Sequence, residues 1–338
     1  MSEISSTHGQ SIVLENLTKV YPGVEKPAVD NVSMSIPAGD FVVFVGPSGC
    51  GKTTTMKMIN RLIEPTSGRI LLGGEDVTHA DPVELRRRIG YVIQSIGLFP
   101  HMTIAQNVAQ VPLMLKWQKN KIDERVNSLL ELVGLDPSVF AKRYPRQLSG
   151  GQQQRVGVAR ALAADPPVLL MDEPFGATDP ITRERLQREF RALQQELGKT
   201  VIFVTHDFDE ALLLGDRVAV LAEQSRVVQF DTPMALVGTP AEDHVKHFVG
   251  TAGHVRMLSL LTAREAADAA LPPSSAPEAE IQAGATLRTA MDRLMGGASP
   301  LRVVDDEGRV LGGLDFAGLS RTVGGYFRKP EEAKAAAS

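Results

Sequence analysis

Gly46-Pro47-Ser48-Gly49-Cys50-Gly51-Lys52-Thr53 is a complete phosphate-binding loop, and its flanks place it between a strand and a helix. Upstream, Phe41-Val42-Val43-Phe44-Val45 is an unbroken apolar run, which suits a parallel strand buried on both faces. Downstream, Thr54 to Leu62 carries Met56, Ile59 and Leu62 at helical spacing, with Met58 and Ile63 beside them. The glycines at 46, 49 and 51 let backbone N–H groups approach phosphate, and the start of the following helix adds a favourable field. Lys52 offers a positive charge to the β- and γ-phosphates, while Thr53 offers its hydroxyl to Mg²⁺. Pro47, Ser48 and Thr54 complete the nucleotide-facing stretch. Cys50 occupies a free position, either as a small filler or as a redox switch; the filler reading needs no further residue. The chemistry is that of a nucleoside triphosphate.

A second glycine-rich loop, Leu148-Ser149-Gly150-Gly151-Gln152, lies about a hundred residues further on. Ser149 can cap a helix that begins near Gly151 and runs through Arg155, Val156, Ala159 and Leu162, presenting N–H groups to another phosphate. One nucleotide has one triphosphate tail. Two chains placed head to tail use both loops, each closing over the nucleotide of the other.

The metal side follows from Val168-Leu169-Leu170-Met171-Asp172-Glu173, a buried strand ending in two carboxylates where open α/β sheets place ligands. Alternation along a strand predicts that Asp172 and Glu173 face opposite ways and hold different roles, one toward Mg²⁺ and the other toward the attacking water. A third apolar run, Thr200 to Thr205, ends at His206, and of the seven histidines only this one directly follows such a run. A lone histidine is often structural; at this sheet edge it can reach the γ-phosphate and the attacking water. His244 and His247 are spaced i, i+3 with no evident third ligand, and read as surface residues.

The phosphate loop, Gln94 in Tyr91-Val92-Ile93-Gln94, the stretch Leu148–Gln152, Asp172-Glu173, Asp179 and His206 stand in an order that resembles the ATPase subunits of ATP-binding-cassette (ABC) transporters. The resemblance covers residues 11–250, with a helical subdomain at about 95–165. It implies an α/β fold: a P-loop nucleotide-binding domain with a mixed sheet core. It also implies roles. Tyr21 matches the aromatic residue that stacks on adenine, Gln94 links Mg²⁺ to the membrane subunit, and Ser149 and Gly151 contact the opposite γ-phosphate. Asp179 sits at the dimer seam, where the family's usual Leu or Ile before the aspartate is Thr178 here. Glu173 and His206 are then the catalytic pair, Thr53, Gln94 and Asp172 the metal side, and ATP with Mg²⁺ the ligands.

Composition is consistent with a subunit that works beside a membrane. A net charge of −4 and a pI near 6.0 give no reason to expect a nucleic-acid partner. A single cysteine excludes an internal disulfide framework. The first ten residues are polar and do not read as a signal peptide, and no apolar stretch approaches the ~20 residues that cross a bilayer. The resemblance therefore implies a homodimer, peripheral on the cytoplasmic face of the inner membrane. Its partners would be integral-membrane permease subunits and, indirectly, an extracytoplasmic solute-binding protein.

Between Gln94 and Leu148, Gly97-Leu98-Phe99-Pro100-His101-Met102-Thr103-Ile104 is apolar but interrupted by Gly and Pro. It reads as a surface groove for a permease helix, or as core packing at Leu98 and Phe99. A helix is predicted over Ile122–Val133, and Trp117 reads as a packing residue. The runs Leu85–His101 and Asp172–Arg183 resemble the ATPases of osmoprotectant importers, which implies glycine betaine, choline or a related quaternary amine as the solute. A polar amino acid is the alternative solute. A soluble ATPase of DNA repair or ribosomes is the alternative class, although the coiled-coil insertion and the second cassette of those proteins are both missing. In the helix after Asp179, Leu186, Phe190, Leu193 and Leu197 form one stripe, Pro180 suits the first turn, and Gly198 stops it.

A boundary is expected after Gly250. Leu271–Glu278 is rich in Pro, Ser and Ala and reads as a loop or linker. Leu287–Met295 reads as a helix, and the runs 300–304 and 310–314 as a hairpin around Asp305-Asp306-Glu307-Gly308. This helix–strand–strand order at 258–325 resembles one cystathionine-β-synthase (CBS) motif, a small α+β domain of which relatives usually carry two. The barrel domain of sugar importers would need more strands. The tail at 329–338 reads as disordered.

Overall fold

The computed structural model describes residues 8–93, 97–176, 179–274, 276 and 279–327. The chain divides into two compact units, one up to Phe230 and one from Asp231. The second unit thus begins before the boundary expected at Gly250. Its earliest helix, Pro233–Gly238, packs on helix Gly253–Leu260, and a side chain at Gly238 would lie 3.7 Å from the Met257 methyl.

Two sheets make the first unit. Strands β1 (Ile12–Lys19), β2 (Val29–Ile36), β4 (Ser67–Leu72) and β5 (Glu75–Asp76) form an antiparallel sheet in the order β2-β1-β4-β5. Strands β3 (Phe41–Val45), β6 (Ile89–Val92), β7 (Val168–Asp172), β8 (Thr200–Thr205), β9 (Arg217–Leu221) and β10 (Val227–Asp231) form the other, ordered β10-β9-β3-β8-β7-β6. The pairings from β6 across to β9 are parallel. Strands β3, β7 and β8 are buried at every residue, as expected where both faces of a parallel sheet are covered.

The helix Lys52–Ile59 lies in the core shared by the two sheets, where Met56, Met58 and Ile59 pack with Ile12, Leu14, Val42 and Phe44. It stops earlier than the pattern predicts. Arg61 adopts a left-handed conformation (φ 49°), and Leu62 is 46% exposed rather than on the buried stripe. On the other face of the large sheet, Phe190 of helix Pro180–Leu197 meets Phe41 edge-on at 5.8 Å and Phe175 at 6.5 Å. Truncating such a buried ring to Ala costs about 3–5 kcal/mol.

The helices Ile104–Met114, Lys119–Leu132 and Gly150–Leu162 pack on one another through Ile104, Val108, Val126, Leu130, Val156 and Ala159. Just before them, Phe99 is 43% exposed, which fits a surface better than a core. The fully buried Asn107 holds its backbone in place, accepting from Phe99 N–H at 2.7 Å and donating to the Phe99 carbonyl at 3.1 Å.

In the second unit β11 (Glu280–Gln282) runs parallel to β12 (Leu301–Val304), which pairs antiparallel with β13 (Val310–Leu314). The helix Leu287–Met295 connects β11 to β12, and helix Phe316–Gly325 follows β13. The hairpin turn forms as expected, with Asp305 accepting from the N–H groups of Glu307 and Arg309 at 3.1 and 2.8 Å. Strand β11 and the last helix were not legible in the sequence. The expected tail at 329–338 lies outside the described residues, as do parts of the 271–278 loop.

Candidate functional site

Strand β3 delivers the chain into the phosphate loop, and Gly51, at φ 109°, turns it into the helix. That conformation excludes other residues sterically, and so does the packing behind the loop: a side-chain carbon at Gly51 would collide with the Ser225 hydroxyl and the Ala28 carbonyl. The rear of the loop is held by Ser225, whose N–H donates to the Cys50 carbonyl at 2.6 Å and whose hydroxyl lies 3.0 Å from that of Thr55. At the front, a carbon on Gly49 would meet nothing within 4 Å. The result is a cradle packed behind and open before.

Lys52 is 94% buried and donates to the carbonyls of Gly46 and Pro47 at 2.8 and 2.9 Å. Its ammonium is held over the mouth of its own loop. Cys50 is buried, and burial pushes its thiol pKa up against the opposing pull of Lys52. It fills space behind the loop.

Thr53 donates its hydroxyl to Asp172 Oδ1 at 2.9 Å, joining the phosphate loop to the end of β7. Burial raises the Asp172 carboxyl pKa; the Thr53 hydrogen bond and the lysines at 57 and 52 pull the other way, and Glu173 adds to the rise. Beside it, burial and then the Asp172 charge push the Tyr91 hydroxyl up to about 12.

Glu173 lies just beyond the strand in a left-handed conformation (φ 42°), so simple strand alternation does not describe it. Its N–H donates to the Val204 carbonyl at 3.0 Å, and its carbonyl accepts from Gly176 N–H at 3.1 Å. An Asp172–Glu173 division still results: Asp172 faces Thr53, and Glu173 Oε1 lies 3.3 Å from His206 Nδ1. A left-handed non-glycine residue costs about 1–2 kcal/mol, and strain of this kind persists where the surroundings impose it.

Ser149 caps helix Gly150–Leu162, accepting from Gln152 N–H at 3.3 Å, while Gln152 Oε1 accepts from Ser149 N–H at 3.0 Å. This is a capping box, so the Gln152 amide serves the helix start. Leu148 is buried, and Gly150 has open space where a side chain would project. Gly151 faces the next helix: a side chain there would lie 3.2 Å from Thr182 Cγ2 and 3.7 Å from Leu186 Cδ1. Asp179 is the N-cap of that helix, and the backbone N–H of Thr182, at 3.0 Å, draws its carboxyl pKa down.

The register puts Val45 beside Thr205 and Asp172 beside Val204, so Lys52, Thr53, Asp172, Glu173 and His206 gather at the carboxyl ends of β3, β7 and β8. Tyr21 is 37% exposed beyond β1, with the Lys19 ammonium 5.3 Å from its ring. Among the described residues, no hydrogen bond or ion pair joins Ser149–Gln152 to the phosphate loop. Gln94 and Thr178 lie outside the described residues. Sequence reasoning missed Ser225, whose only local signal is the polar turn Glu223–Ser225 between two strands.

The model of the ABC transporter family matches residues 29–176. The Bacillus subtilis glycine betaine/carnitine/choline transport ATP-binding protein OpuCA is 59% identical over 237 residues, 70% of this chain and 62% of its own length. This chain thus spans less than two thirds of that relative. The Salmonella typhimurium osmoprotectant import ATP-binding protein OsmV is 49% identical over 89% of this chain and 78% of its own length. The Escherichia coli glycine betaine uptake system ATP-binding protein YehX is 47% identical over 91% of this chain and 98% of its own length. A dimeric ATP-binding cassette solved in a post-hydrolysis state with ADP and Pi superposes with a TM-score of 0.58 at 38% identity, covering 66% of this chain and 98% of that one. With its phosphate loop, its strand-end carboxylates and 47% identity to YehX over nearly all of that protein's length, this chain belongs to the ATP-binding proteins of ABC transporters.

Proposed function

We propose that this chain is the ATP-hydrolysing subunit of an importer that carries an osmoprotectant, such as glycine betaine or choline, through separate integral-membrane permease subunits. The observation that carries the solute class is the 47% identity to a glycine betaine uptake ATP-binding protein over 98% of its length. No helix among the described residues is long and apolar enough to cross a membrane. In this reading, passage of the solute falls to other chains, with this one peripheral at the cytoplasmic face and a solute-binding protein acting indirectly.

The site's own groups divide the work. Lys52 exchanges the two loop carbonyls for the β- and γ-phosphates, a pairing of unlike charges at a buried ammonium. Thr53 and Asp172 fit Mg²⁺: they are hard oxygen donors already 2.9 Å apart. When bound, Mg²⁺ neutralises charge on the phosphate oxygens. Glu173 takes the proton of the attacking water, and His206 orients that water and the γ-phosphate. Tyr21 stacks on the adenine. Two copies form a head-to-tail homodimer, in which Ser149 and Gly151 of each close over the other's ATP and Asp179 lines the seam. Gln94 links the metal side to the permease.

Uptake of radiolabelled betaines, choline and polar amino acids in cells lacking this protein tests the reading. Loss of quaternary-amine uptake is expected. Selective loss of amino-acid uptake overturns the solute class and leaves the ATPase role standing.

A further inference from the structure

Beneath the turn that carries His206 lies a carboxylate that the chemistry above does not use. Glu210 sits in the first turn of helix Phe208–Leu214. Its Oε2 accepts from the Thr205 hydroxyl, and its Oε1 accepts from Gln187 Nε2 at 2.6 Å. Its backbone N–H donates to Asp207 Oδ1 at 3.2 Å, and Asp207 N–H donates to Thr205 Oγ1 at 3.0 Å. Thr205 and Gln187 are both at least 95% buried. Gln187 belongs to Pro180–Leu197, the helix that starts at Asp179, the residue expected at the dimer seam, and packs against Gly151 of helix Gly150–Leu162. Three elements therefore converge on one side chain.

We infer that Glu210 is a positioning residue, which fastens the His206 turn to the seam helix and so holds His206 against Glu173. This rests on the ATPase reading of the site. Thr205 immediately precedes His206, and its neighbour Val204 supplies the carbonyl that holds Glu173 N–H. A partly buried carboxylate with both oxygens engaged costs desolvation that an apolar side chain avoids, so packing alone does not account for it. Burial indeed raises the Glu210 carboxyl pKa, opposed by the Thr205 and Gln187 hydrogen bonds and by Arg183, while Asp207 adds to the rise. Removing this fastening frees the imidazole but leaves the phosphate loop untouched. The loss should thus fall on turnover, since misplacing a catalytic group by roughly 1 Å costs ~10²-fold.

Steady-state ATP hydrolysis by the full chain and its Glu210→Ala, Glu210→Gln, His206→Ala and doubly substituted Glu210→Ala/His206→Ala forms decides the matter. Glu210→Ala should lower kcat by ~10–100-fold with KM for ATP within about threefold. Glu210→Gln should recover most of that loss, since its carbonyl can accept from Thr205 and its amide can donate to a reversed Gln187. In the His206→Ala background, Glu210→Ala should cost nothing more, the mark of two residues acting as one. Thr205→Val removes the link between Glu210 and the His206 turn from the other side, should lower kcat in the same sense as Glu210→Ala, and carries the test where the alanine form does not fold. Additive losses in the double variant, or a Gln form as impaired as the Ala form, overturn the inference. An unmodified chain that fails to hydrolyse ATP instead overturns the ATPase reading, whereas a fully active His206→Ala form leaves that reading standing and overturns the role of His206 and the inference with it.

Discussion

His206 Nδ1 and Glu173 Oε1 stand 3.3 Å apart, and the backbone brings them together more than their attraction does. The His206 side chain is 66% exposed, so the pair gains little as an ion pair in water. Its value is positional. Glu173 is fixed by its N–H to Val204, and His206 follows Thr205 two residues beyond that carbonyl on the adjacent parallel strand. One strand pairing thus sets both backbones.

If Glu173 is the base, Glu173→Gln keeps the shape of the site and removes its proton acceptor. Hydrolysis should fall by ~10²–10⁴-fold while ATP still binds and holds the chain as a dimer. Lys52→Ala should instead lose nucleotide affinity. Binding of a fluorescent ATP analogue beside phosphate release separates the two outcomes. Near-normal turnover by Glu173→Gln moves the base elsewhere.

Residues whose placement is announced by their immediate neighbours were legible in the sequence. Lys52, Thr53, Glu173 and His206 follow apolar strands, Asp172 closes one, and Ser149 opens a helix that it visibly caps. Partnerships between distant segments were not. Nothing local marks Gln187, Thr205 and Glu210 as a cluster, or Ser225 as the prop behind Cys50. Periodicity misread Leu62, because a left-handed Arg61 ends the helix within the same apolar pattern. The antiparallel sheet escaped for a related reason: β1 breaks register twice against β2, which blurs its alternation.

Ser149 has two expected functions, and substitution separates them. Removing the cap costs the helix about 1 kcal/mol. Ser149→Ala should therefore lower the melting temperature only slightly while cutting ATPase activity much further, since the partner's γ-phosphate also loses a contact. Gln152→Ala breaks the other half of the capping box and should show the stability loss with the smaller activity loss. Equal behaviour of the two variants in both assays removes Ser149 from the ligand.

Cys50 should resist alkylation. Its pKa is raised by burial, so the thiolate fraction at pH 8 lies below that of a free thiol, and the sulfur is enclosed. Iodoacetamide labelling followed by mass spectrometry should show slow modification of the native chain and rapid modification in denaturant. Fast native labelling would return the redox reading.

The second unit is expected to hold two copies together without ATP. If the second unit is the CBS-like motif that its sequence resembles, it has an apolar face that another such motif usually covers; Met295, Val310 and Phe316 are 69%, 50% and 47% exposed. A nucleotide role is less favoured: Asp315 already accepts from Gly318 N–H at 2.7 Å as the cap of helix Phe316–Gly325, and its carboxylate would repel phosphate. Light scattering on the full chain carrying Val310→Asp and Phe316→Asp should show a dimer reduced to a monomer in the absence of nucleotide. Added to Glu173→Gln with ATP, the same pair should still dimerise through the two phosphate sites. An unchanged dimer mass without ATP rules out the scaffold, and tight binding of an adenine nucleotide to the second unit by calorimetry would make it a sensor instead.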